Sequence, residues 1–374
     1  MKFIISSSAF SARLQALGRV VNSKNSVSIL ECFVFDIRDM KLTLTASDNE
    51  NTLTSVLDLV EQDGEIRFAV NAKTVQDAMK EIPEQPLEIY VNEQTMEVTV
   101  AYQNGQYRFM AQSADEYPVP PALDGEATEL HLSADRLLAA VGRELFATAD
   151  DTLRPVMNGV YFDVKGGDVT FVASDGHKLA CSTIKGVGTD KDDAFILPKK
   201  PASLLKNLFG KEETDVTIRF NQRNAVFSTE TATLSCRLIE GHYPNYRSVI
   251  PQSNPNEATL NRQALLSVLR RVMIFSNVNS ALVKLSFDMG SLSVSSQDID
   301  FSMSAEEKML CDFSGMPMRI GFKGPFLTDL LNNLQGDEVT FRLSDATRAG
   351  VIVPAEQPEG EEVLMLLMPM MLND

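Results

Sequence analysis

Paired cysteines are missing from this sequence. Four cysteines occur in 374 residues, and none belongs to a CxxC motif. Disulfide frameworks need paired cysteines in an oxidising compartment. We therefore expect a reduced, cytosolic protein without structural disulfides, in which the cysteines act as small core residues. They are Cys32, Cys181, Cys236 and Cys311.

Long apolar runs are also missing. No run approaches the roughly 20 apolar residues that are needed to cross a bilayer. Near the N-terminus, the three apolar residues at 3–5 precede a run of serines, so this stretch is too short for the core of a signal peptide. The sequence therefore predicts a soluble, cytoplasmic protein.

Positive charge is scarce overall but unevenly distributed. The net charge of -17 argues against a nucleic-acid partner, because phosphate binding needs concentrated lysine and arginine. Yet the predicted helical segments 8–22, 198–211 and 261–275 carry basic residues and no acidic residue. A fourth segment, 133–147, is balanced in charge. Acidic residues concentrate in the predicted strands and loops at 58–65, 81–97, 190–193 and 356–362.

This segregation of charge has two interpretations. If the helices share one face, they form a positive surface that follows phosphates without reading bases. Alternatively, the basic residues simply occupy solvent-facing helix positions. The second interpretation is favoured for a single helix, whereas recurrence along the chain makes the two comparable. The basic residues concerned are Arg13, Arg19, Arg136, Arg143, Lys199, Lys200, Lys206, Arg262, Arg270 and Arg271.

One sequence pattern occurs three times. Each copy has an alternating apolar run, a polar break centred on an aspartate, and a second apolar run, which is typical of strand, tight turn and strand. The central aspartates, Asp48, Asp175 and Asp298, follow one another at intervals of about 125 residues. Other motifs recur with the same offset, for example Glu116-Tyr-Pro118 and His242-Tyr-Pro244. The sequence therefore predicts three tandem domains, at 1–121, 128–252 and 258–374.

Each predicted domain is of α+β type, with two helices and about eight antiparallel strands, because the connections are short. The first helix is expected to be capped by Ser8 or Ser11 and to run to about Val21. The acidic segment 356–362 is expected to be a solvated loop. The other predicted helices are 72–81, 134–147, 199–209, 262–275 and 324–334.

The turn at Asp175 also allows an enzymatic hypothesis. Asp175 could orient His177 as a general base, as in a hydrolase. However, no nucleophile motif accompanies this pair, and His131 and His242 show no metal-binding spacing. Recurrence of the aspartate in every domain favours a structural role, in which it accepts hydrogen bonds from the turn backbone. We therefore predict no catalytic residue, no metal and no cofactor.

Four motifs in order resemble a known family. They are Lys2-Phe3, Ser174–Leu179, Gly241–Arg247 and Met368–Leu372. Together with the threefold repeat, they make the whole chain similar to the bacterial sliding clamp family, the beta subunit of DNA polymerase III. The resemblance implies a head-to-tail homodimer that closes six clamp domains into a ring around duplex DNA. It implies a non-enzymatic processivity factor, and a scaffold that binds proteins but not DNA is the alternative.

The resemblance also implies a hydrophobic pocket between the second and third domains. It would take short linear motifs from DNA polymerase III alpha, the clamp loader, repair proteins and ligase. Methionines at the C-terminal end suit several partners, because their side chains are adaptable. Three positions differ from the common family pattern, namely Lys178, Ser248 and Met371. The matching pocket positions are Met157, Ser174, Gly176, His177, Lys178, Leu179, Pro244, Val249, Leu366, Leu367, Met368, Pro369 and Met370.

Two further residue sets follow from the resemblance. Contacts with DNA match Lys24, Arg154, Lys199 and Lys200, in addition to the helix residues above. The dimer interface would bring Tyr107 and Phe109, on a first-domain edge strand, against Ile274 and Phe275 at the end of a third-domain helix.

Overall fold

A computed structural model describes residues 1–22, 27–120, 122–210 and 214–372. The chain divides into two compact units. Unit 1 comprises Met1–Leu138 and Lys200–Leu238, and unit 2 comprises Ala139–Lys199 and Ile239–Asp374. The middle repeat thus contributes to both units. Within the described residues, no helix is both long and apolar enough to span a membrane.

The three repeats share one order of elements. Each contains two helices among many strands, and every strand pair described is antiparallel, as predicted. The first repeat contains β1 (Lys2–Ser6), α1 (Ser7–Leu17), β2 (Cys32–Arg38), β3 (Lys41–Ser47), β4 (Asn51–Asp58), β5 (Glu61–Asp63), β6 (Ile66–Asn71), α2 (Ala72–Lys80), β7 (Pro86–Val91), β8 (Glu97–Tyr102) and β9 (Gly105–Met110).

The other two repeats follow the same order. The second contains β10 (Thr128–Ser133), α3 (Ala134–Leu145), β11 (Gly159–Lys165), β12 (Asp168–Ser174), β13 (Lys178–Ile184), β14 (Asp193–Pro198), α4 (Lys199–Phe209), β15 (Asp215–Phe220), β16 (Asn224–Ser228) and β17 (Ala232–Arg237). The third contains β18 (Asn256–Asn261), α5 (Arg262–Val272), β19 (Leu282–Asp288), β20 (Ser291–Asp298), β21 (Met303–Leu310), β22 (Asp312–Ser314), β23 (Met318–Lys323), α6 (Gly324–Asn333), β24 (Glu338–Leu343), β25 (Gly350–Pro354) and β26 (Glu361–Leu367).

In each unit, one sheet continues from one repeat into the next. In unit 1, β4 pairs with β17 inside the eight-stranded sheet β10-β15-β16-β17-β4-β3-β2-β6. In unit 2, β13 pairs with β26 inside the nine-stranded sheet β14-β11-β12-β13-β26-β25-β24-β18-β22. Smaller sheets, β5-β1-β7-β8-β9 in unit 1 and β21-β20-β19-β23 in unit 2, complete the two units.

The first helix differs from its prediction at both ends. Its N-cap is Ser6, whose side chain accepts a hydrogen bond from the Ala9 N–H at 3.3 Å. Ser7 is buried and donates to the Pro83 carbonyl oxygen, so the helix starts directly from β1. The helix ends at Leu17, and the Gln76 side chain donates to the Leu14 carbonyl. Ser8 and Ser11 are therefore not caps.

The expectation of a solvated acidic loop at 356–362 is wrong at one position. Glu361 starts β26 and is buried, because its carboxylate is paired with the Arg143 guanidinium at 2.5 Å. The predicted helix 262–275 also divides, since α5 ends at Val272 and a 3-10 turn covers Met273–Phe275. All four cysteines are free thiols.

Candidate functional site

The Asp175 turn joins β12 to β13. The Asp175 Oδ1 atom accepts hydrogen bonds from the backbone N–H groups of His177 and Lys178, at 2.8 and 2.9 Å. Its Oδ2 atom lies 2.5 Å from the Lys178 ammonium. Burial opposes ionisation, but the bonds from Lys178 and His177 hold the pKa of this carboxyl below its ordinary value. The carboxylate is therefore engaged by the turn and does not orient the His177 ring.

The other two repeats use their aspartates in the same way. Asp48 Oδ1 accepts from the backbone N–H groups of Glu50 and Asn51. Asp298 Oδ1 accepts from those of Asp300 and Phe301. The prediction of an architectural role is confirmed in all three repeats. In the described part of the chain, no group of three or more His, Cys, Asp or Glu side chains could hold a metal ion.

The seam between β13 and β26 positions the predicted pocket residues. Lys178 lies opposite Leu367, and Leu179 lies opposite Leu366. Beyond the last strand pair, the Met368 N–H donates to the His177 carbonyl at 2.9 Å. The turn of the second repeat and the C-terminal segment of the third are thereby fixed to each other.

One face of this seam carries an apolar cluster that includes three tyrosines. The Tyr161 and Tyr243 rings are stacked with centroids 4.6 Å apart, and Tyr246 meets Tyr161 edge-on. The Tyr246 hydroxyl donates to Asp163 at 2.7 Å. Neither Tyr161 nor the tyrosine pair at 243 and 246 was predicted for the site, although two of them stand in the Gly241–Arg247 motif. The buried members are Val172, Leu179, Tyr246, Ala349 and Leu366, and Tyr161, Cys181, Tyr243, Ile250 and Leu364 pack against them.

The structure contradicts one pocket residue. Side chains alternate along a strand, so Leu367 points to the opposite face from Leu366. It is completely buried in the core of the third repeat together with Val363 and Met365. Leu367 supports the seam but does not line its surface.

The remaining predicted pocket residues differ in their exposure. Met157 is buried, whereas Val249 and Met368 are 55% and 44% exposed. Gly176, His177 and Pro244 are exposed, as are the two divergent positions Ser248 and Met371, and Ser174, Pro369 and Met370 are half-buried.

Lys178 is only 7% exposed. Its ammonium lies 4.3 Å from the centroid of the Phe326 ring, in addition to its contact with Asp175. At the far end of the C-terminal segment, the Met370 N–H donates to the Gly321 carbonyl at 2.8 Å. The segment 368–370 is thus held on the turn before β13 at one end and on β23 at the other.

The predicted DNA-binding cations are mostly at the surface, but several have acidic partners. Lys199 lies 2.7 Å from Asp150, and Lys200 lies 2.6 Å from Asp48. Arg154 contacts Asp151, and Arg271 contacts Glu307. Arg13 and Arg136 are half-buried, whereas Arg19, Lys206 and Arg270 are exposed, and Lys24 lies outside the described residues.

Arg143 is a correction to the predicted DNA-binding set. It is 5% exposed, and its guanidinium contacts the buried Glu361. A side chain enclosed in this way has no access to phosphate, so its role is structural.

Each unit also has a long edge strand. In unit 1, β9 is an outer strand of its sheet, with Tyr107 and Phe109 half-buried. In unit 2, β21 is the outer strand of the four-stranded sheet. Ile274 and Phe275, 72% and 37% exposed, occupy the 3-10 turn after α5.

Family models match the chain along almost its full length. The N-terminal domain of the DNA polymerase III beta subunit matches residues 1–121, the central domain matches 131–245, and the C-terminal domain matches 247–371. The beta sliding clamp of Pseudomonas aeruginosa is 27% identical over 370 residues, covering 98% of this chain and 99% of the relative. That of Synechococcus elongatus is 26% identical, with all of both chains covered.

Solved structures agree with these sequence matches. A sliding clamp from Bartonella birtlesii bound to griselimycin superposes with a TM-score of 0.90 at 27% identity, over 100% of both chains. A clamp from P. aeruginosa, also bound to griselimycin, has a TM-score of 0.93 at 24% identity, with the same coverage. The chain therefore belongs to the DNA polymerase III beta subunit family, the bacterial beta sliding clamps, which are non-catalytic processivity factors of the polymerase.

Proposed function

We propose that two copies of this chain associate head to tail, close six clamp domains into a ring around duplex DNA, and tether the polymerase through the apolar cluster on the β13–β26 seam. The main support for this tethering site is segment 368–370, which backbone hydrogen bonds fix at both ends next to that cluster. The site combines a buried leucine floor, flanked by tyrosines, with partly exposed methionines, the combination expected of a site that accepts several apolar motifs.

The proposed partners at this site are DNA polymerase III alpha, the clamp loader and other proteins with a short apolar motif. Leu179 and Leu366 form the floor, Tyr243 packs against it, and Met157 is proposed to flank it. Lys178 supports the site from inside, since its charge is satisfied by Asp175 and the Phe326 ring. We therefore place polar recognition at the exposed rim, where His177 and Arg247 lie. Tethering raises the local concentration of the polymerase at its template.

The edge strands support the proposed dimer. An unpaired outer strand is a template for another chain, and β9 and β21 both run antiparallel to their single neighbours. We propose that β9 of one protomer pairs with β21 of the other, with Tyr107 and Phe109 packing against Ile274 and Phe275. A head-to-tail interface with twofold symmetry then closes the ring.

DNA contact is proposed for Lys24, Arg154, Lys199 and Lys200, together with the exposed helix cations. Within the chain, Lys199 pairs with Asp150 and Lys200 pairs with Asp48. DNA phosphates would compete with these carboxylates for the two ammonium groups. Weak contacts suffice if the ring holds DNA topologically, which reconciles a DNA partner with the net charge of -17.

Cytoplasmic location follows as part of the same proposal.

The test combines native mass with DNA retention. Dimer mass is measured on the purified chain, and retention is measured by gel filtration on nicked circular DNA after loading, before and after linearisation. A ring predicts dimer mass and release on linearisation. A monomer, or retention that survives linearisation, contradicts the ring. Griselimycin is bound to two of the similar clamps, and we propose that it binds this chain at the apolar cluster. No retention on DNA together with intact binding of griselimycin would favour the protein scaffold instead.

A further inference from the structure

Two adjacent residues of α3 reach into the β13–β26 seam. Arg143 contacts Glu361, the first residue of β26, at 2.5 Å. Glu144 accepts a hydrogen bond from Ser182, in the middle of β13, at 2.7 Å. All four side chains are buried. The second repeat therefore holds both strands of the seam through one helical turn.

The apolar pattern of β26 does not define its register alone. Val363, Met365 and Leu367 face one side, and Leu364 and Leu366 face the other. A shift of one residue would exchange the faces. A shift of two in one direction would place Glu361 and Glu362 at the positions of Val363 and Leu364, which burial disfavours, whereas a shift of two in the other direction would place Met365 and Leu366 there. The hydrophobic effect therefore discriminates poorly against a two-residue shift in the second direction. Such a shift would move the pocket segment by roughly 7 Å along β13.

The buried Arg143–Glu361 ion pair distinguishes between these two registers, which the apolar pattern does not. The Arg143 side chain is itself oriented by donation from Nε to the Ala139 carbonyl at 3.2 Å. A shifted Glu361 would leave a buried guanidinium without its carboxylate, which is a large penalty. The side-chain amide of Gln357 also donates to the Val363 carbonyl and accepts from the Val363 N–H. However, Gln357 lies in the loop leading into β26 and moves with that strand, so it cannot set the position of β26 on β13.

We propose that the Arg143–Glu361 pair, supported by Glu144 and Ser182, is a register lock that sets the position of β26 on β13 and hence the shape of the partner pocket. Its role in the pocket rests on the proposed function above, whereas its role in the register does not. These are positioning residues, because they contact neither the cluster surface nor the segment 368–370. A buried polar contact that specifies register rather than adding stability is a known use of such pairs.

The native thiol of Cys181 offers a direct readout of register. Cys181 lies opposite Leu364, and directly opposed residues in an antiparallel pair are close enough for a disulfide. Leu364→Cys should therefore cross-link to Cys181 under mild oxidation in the native register. Leu366→Cys and Glu362→Cys would cross-link there after a shift of two residues in either direction. Cross-linking is quantified by mass after alkylation under denaturing conditions.

The test variant is Arg143→Met together with Glu361→Met, which removes both buried charges and keeps similar volume. We expect cross-linking through Leu364→Cys to fall at least threefold, cross-linking through one of the shifted reporters to rise, and the Kd for griselimycin to rise at least tenfold. The swapped pair, Arg143→Glu with Glu361→Arg, should restore both the cross-linking and the Kd. It is the control for loss of folding, because it keeps a buried ion pair at the same two positions. Lys185→Met with Glu362→Met is the matched control, because that ion pair lies at the same end of the seam but is exposed.

The outcomes separate the two proposals. Unchanged cross-linking through Leu364→Cys in the double variant overturns the register lock, whatever happens to binding. Altered cross-linking with an unchanged Kd keeps the lock but overturns its effect on the pocket. If the parent chain does not bind griselimycin, the use of this probe for the pocket fails, while the cross-linking result still decides the register.

Discussion

Thr52 lies opposite Ser235 across β4 and β17, the position that Leu179 and Leu366 occupy across β13 and β26. The correspondence extends further, because the Arg237 N–H donates to the Glu50 carbonyl just as the Met368 N–H donates to the His177 carbonyl. Both seams therefore have one architecture. Of these two seams in the described residues, only that of unit 2 has leucines at the equivalent pair, so the polar pair Thr52 and Ser235 gives the seam of unit 1 no apolar floor at this position.

We predict that Leu366→Ser weakens griselimycin binding at least tenfold. The change replaces half of the apolar floor by a hydroxyl, and an apolar ligand would leave that hydroxyl without a hydrogen-bond partner, at a cost of about 1–3 kcal/mol. Isothermal titration calorimetry measures the affinity, and native mass should stay unchanged. Thr52→Leu is the matched control in the other seam and should leave the affinity as it was. Equal binding by Leu366→Ser would show that the ligand sits elsewhere.

Removal of the residues after Leu367 should abolish binding and leave the dimer intact. This truncation deletes Met368 and Met370, which donate to His177 and Gly321 and hold the segment in place. The control truncation ends after Leu372. The pocket assignment is wrong if a chain ending at Leu367 still binds griselimycin with parental affinity.

Arg270→Glu should reduce loading on DNA without changing dimer mass. Arg270 is an exposed side chain on α5, whereas its neighbour Arg271 contacts Glu307 of β21, which belongs to the proposed dimer edge. Reversal of Arg271 would therefore disturb two functions at once. Glu307→Gln serves as the control for that edge. Unchanged loading by Arg270→Glu at several salt concentrations would remove α5 from the DNA surface.

Ile274→Asp should convert the dimer to a monomer. The exposed isoleucine is proposed to meet Tyr107 and Phe109 of the partner, and a carboxylate there would be desolvated without a counter-charge. Sedimentation velocity measures the change, and the free energy of unfolding of each protomer should be little affected, since the site is 72% exposed. Val278→Asp, at a neighbouring exposed position, is the comparison. A dimer that persists in Ile274→Asp would refute this interface.

Glu144 should make stability fall as pH rises. Burial, opposed by the Ser182 hydrogen bond and the Arg143 charge, raises its pKa from 4.5 to about 8. The folded protein thus holds this proton more tightly than the unfolded chain, so the stabilisation is complete below pH 4.5 and is lost progressively as pH rises towards 8. Glu144→Gln should reduce the fall in unfolding free energy between pH 5 and 8 by roughly 2–3 kcal/mol.

Urea unfolding at four pH values tests this expectation for Glu144. Glu362→Gln, an exposed carboxylate on the same seam, is the control and should follow the parent curve. Parallel curves for the parent and Glu144→Gln would mean that the buried carboxylate is already ionised in the folded protein.

Periodic features were predictable from the sequence, and pairings between distant residues were not. The repeat, the helices and the Asp175 turn follow from local alternation and spacing, so they were found. The Arg143–Glu361 pair was missed because 218 residues separate its members and because Glu361 stands in an acidic run that is typical of a solvated loop. The tyrosine stack was missed for the same reason, since Tyr161 is far in sequence from Tyr243. Leu367 was misplaced because the continuous apolar run hides which residues face which side.

The pairing of β13 with β26 joins strands that are synthesised far apart in time. β26 follows every other strand of its sheet in chain order, and the pinned segment after it comes later still. During translation, a nascent chain can complete unit 1 and most of unit 2 while the floor around Leu179 still lacks Leu366. Under the proposed function, a nascent chain that has not yet added Leu366 would lack the docking surface for polymerase, so partner binding would begin only after β26 is in place.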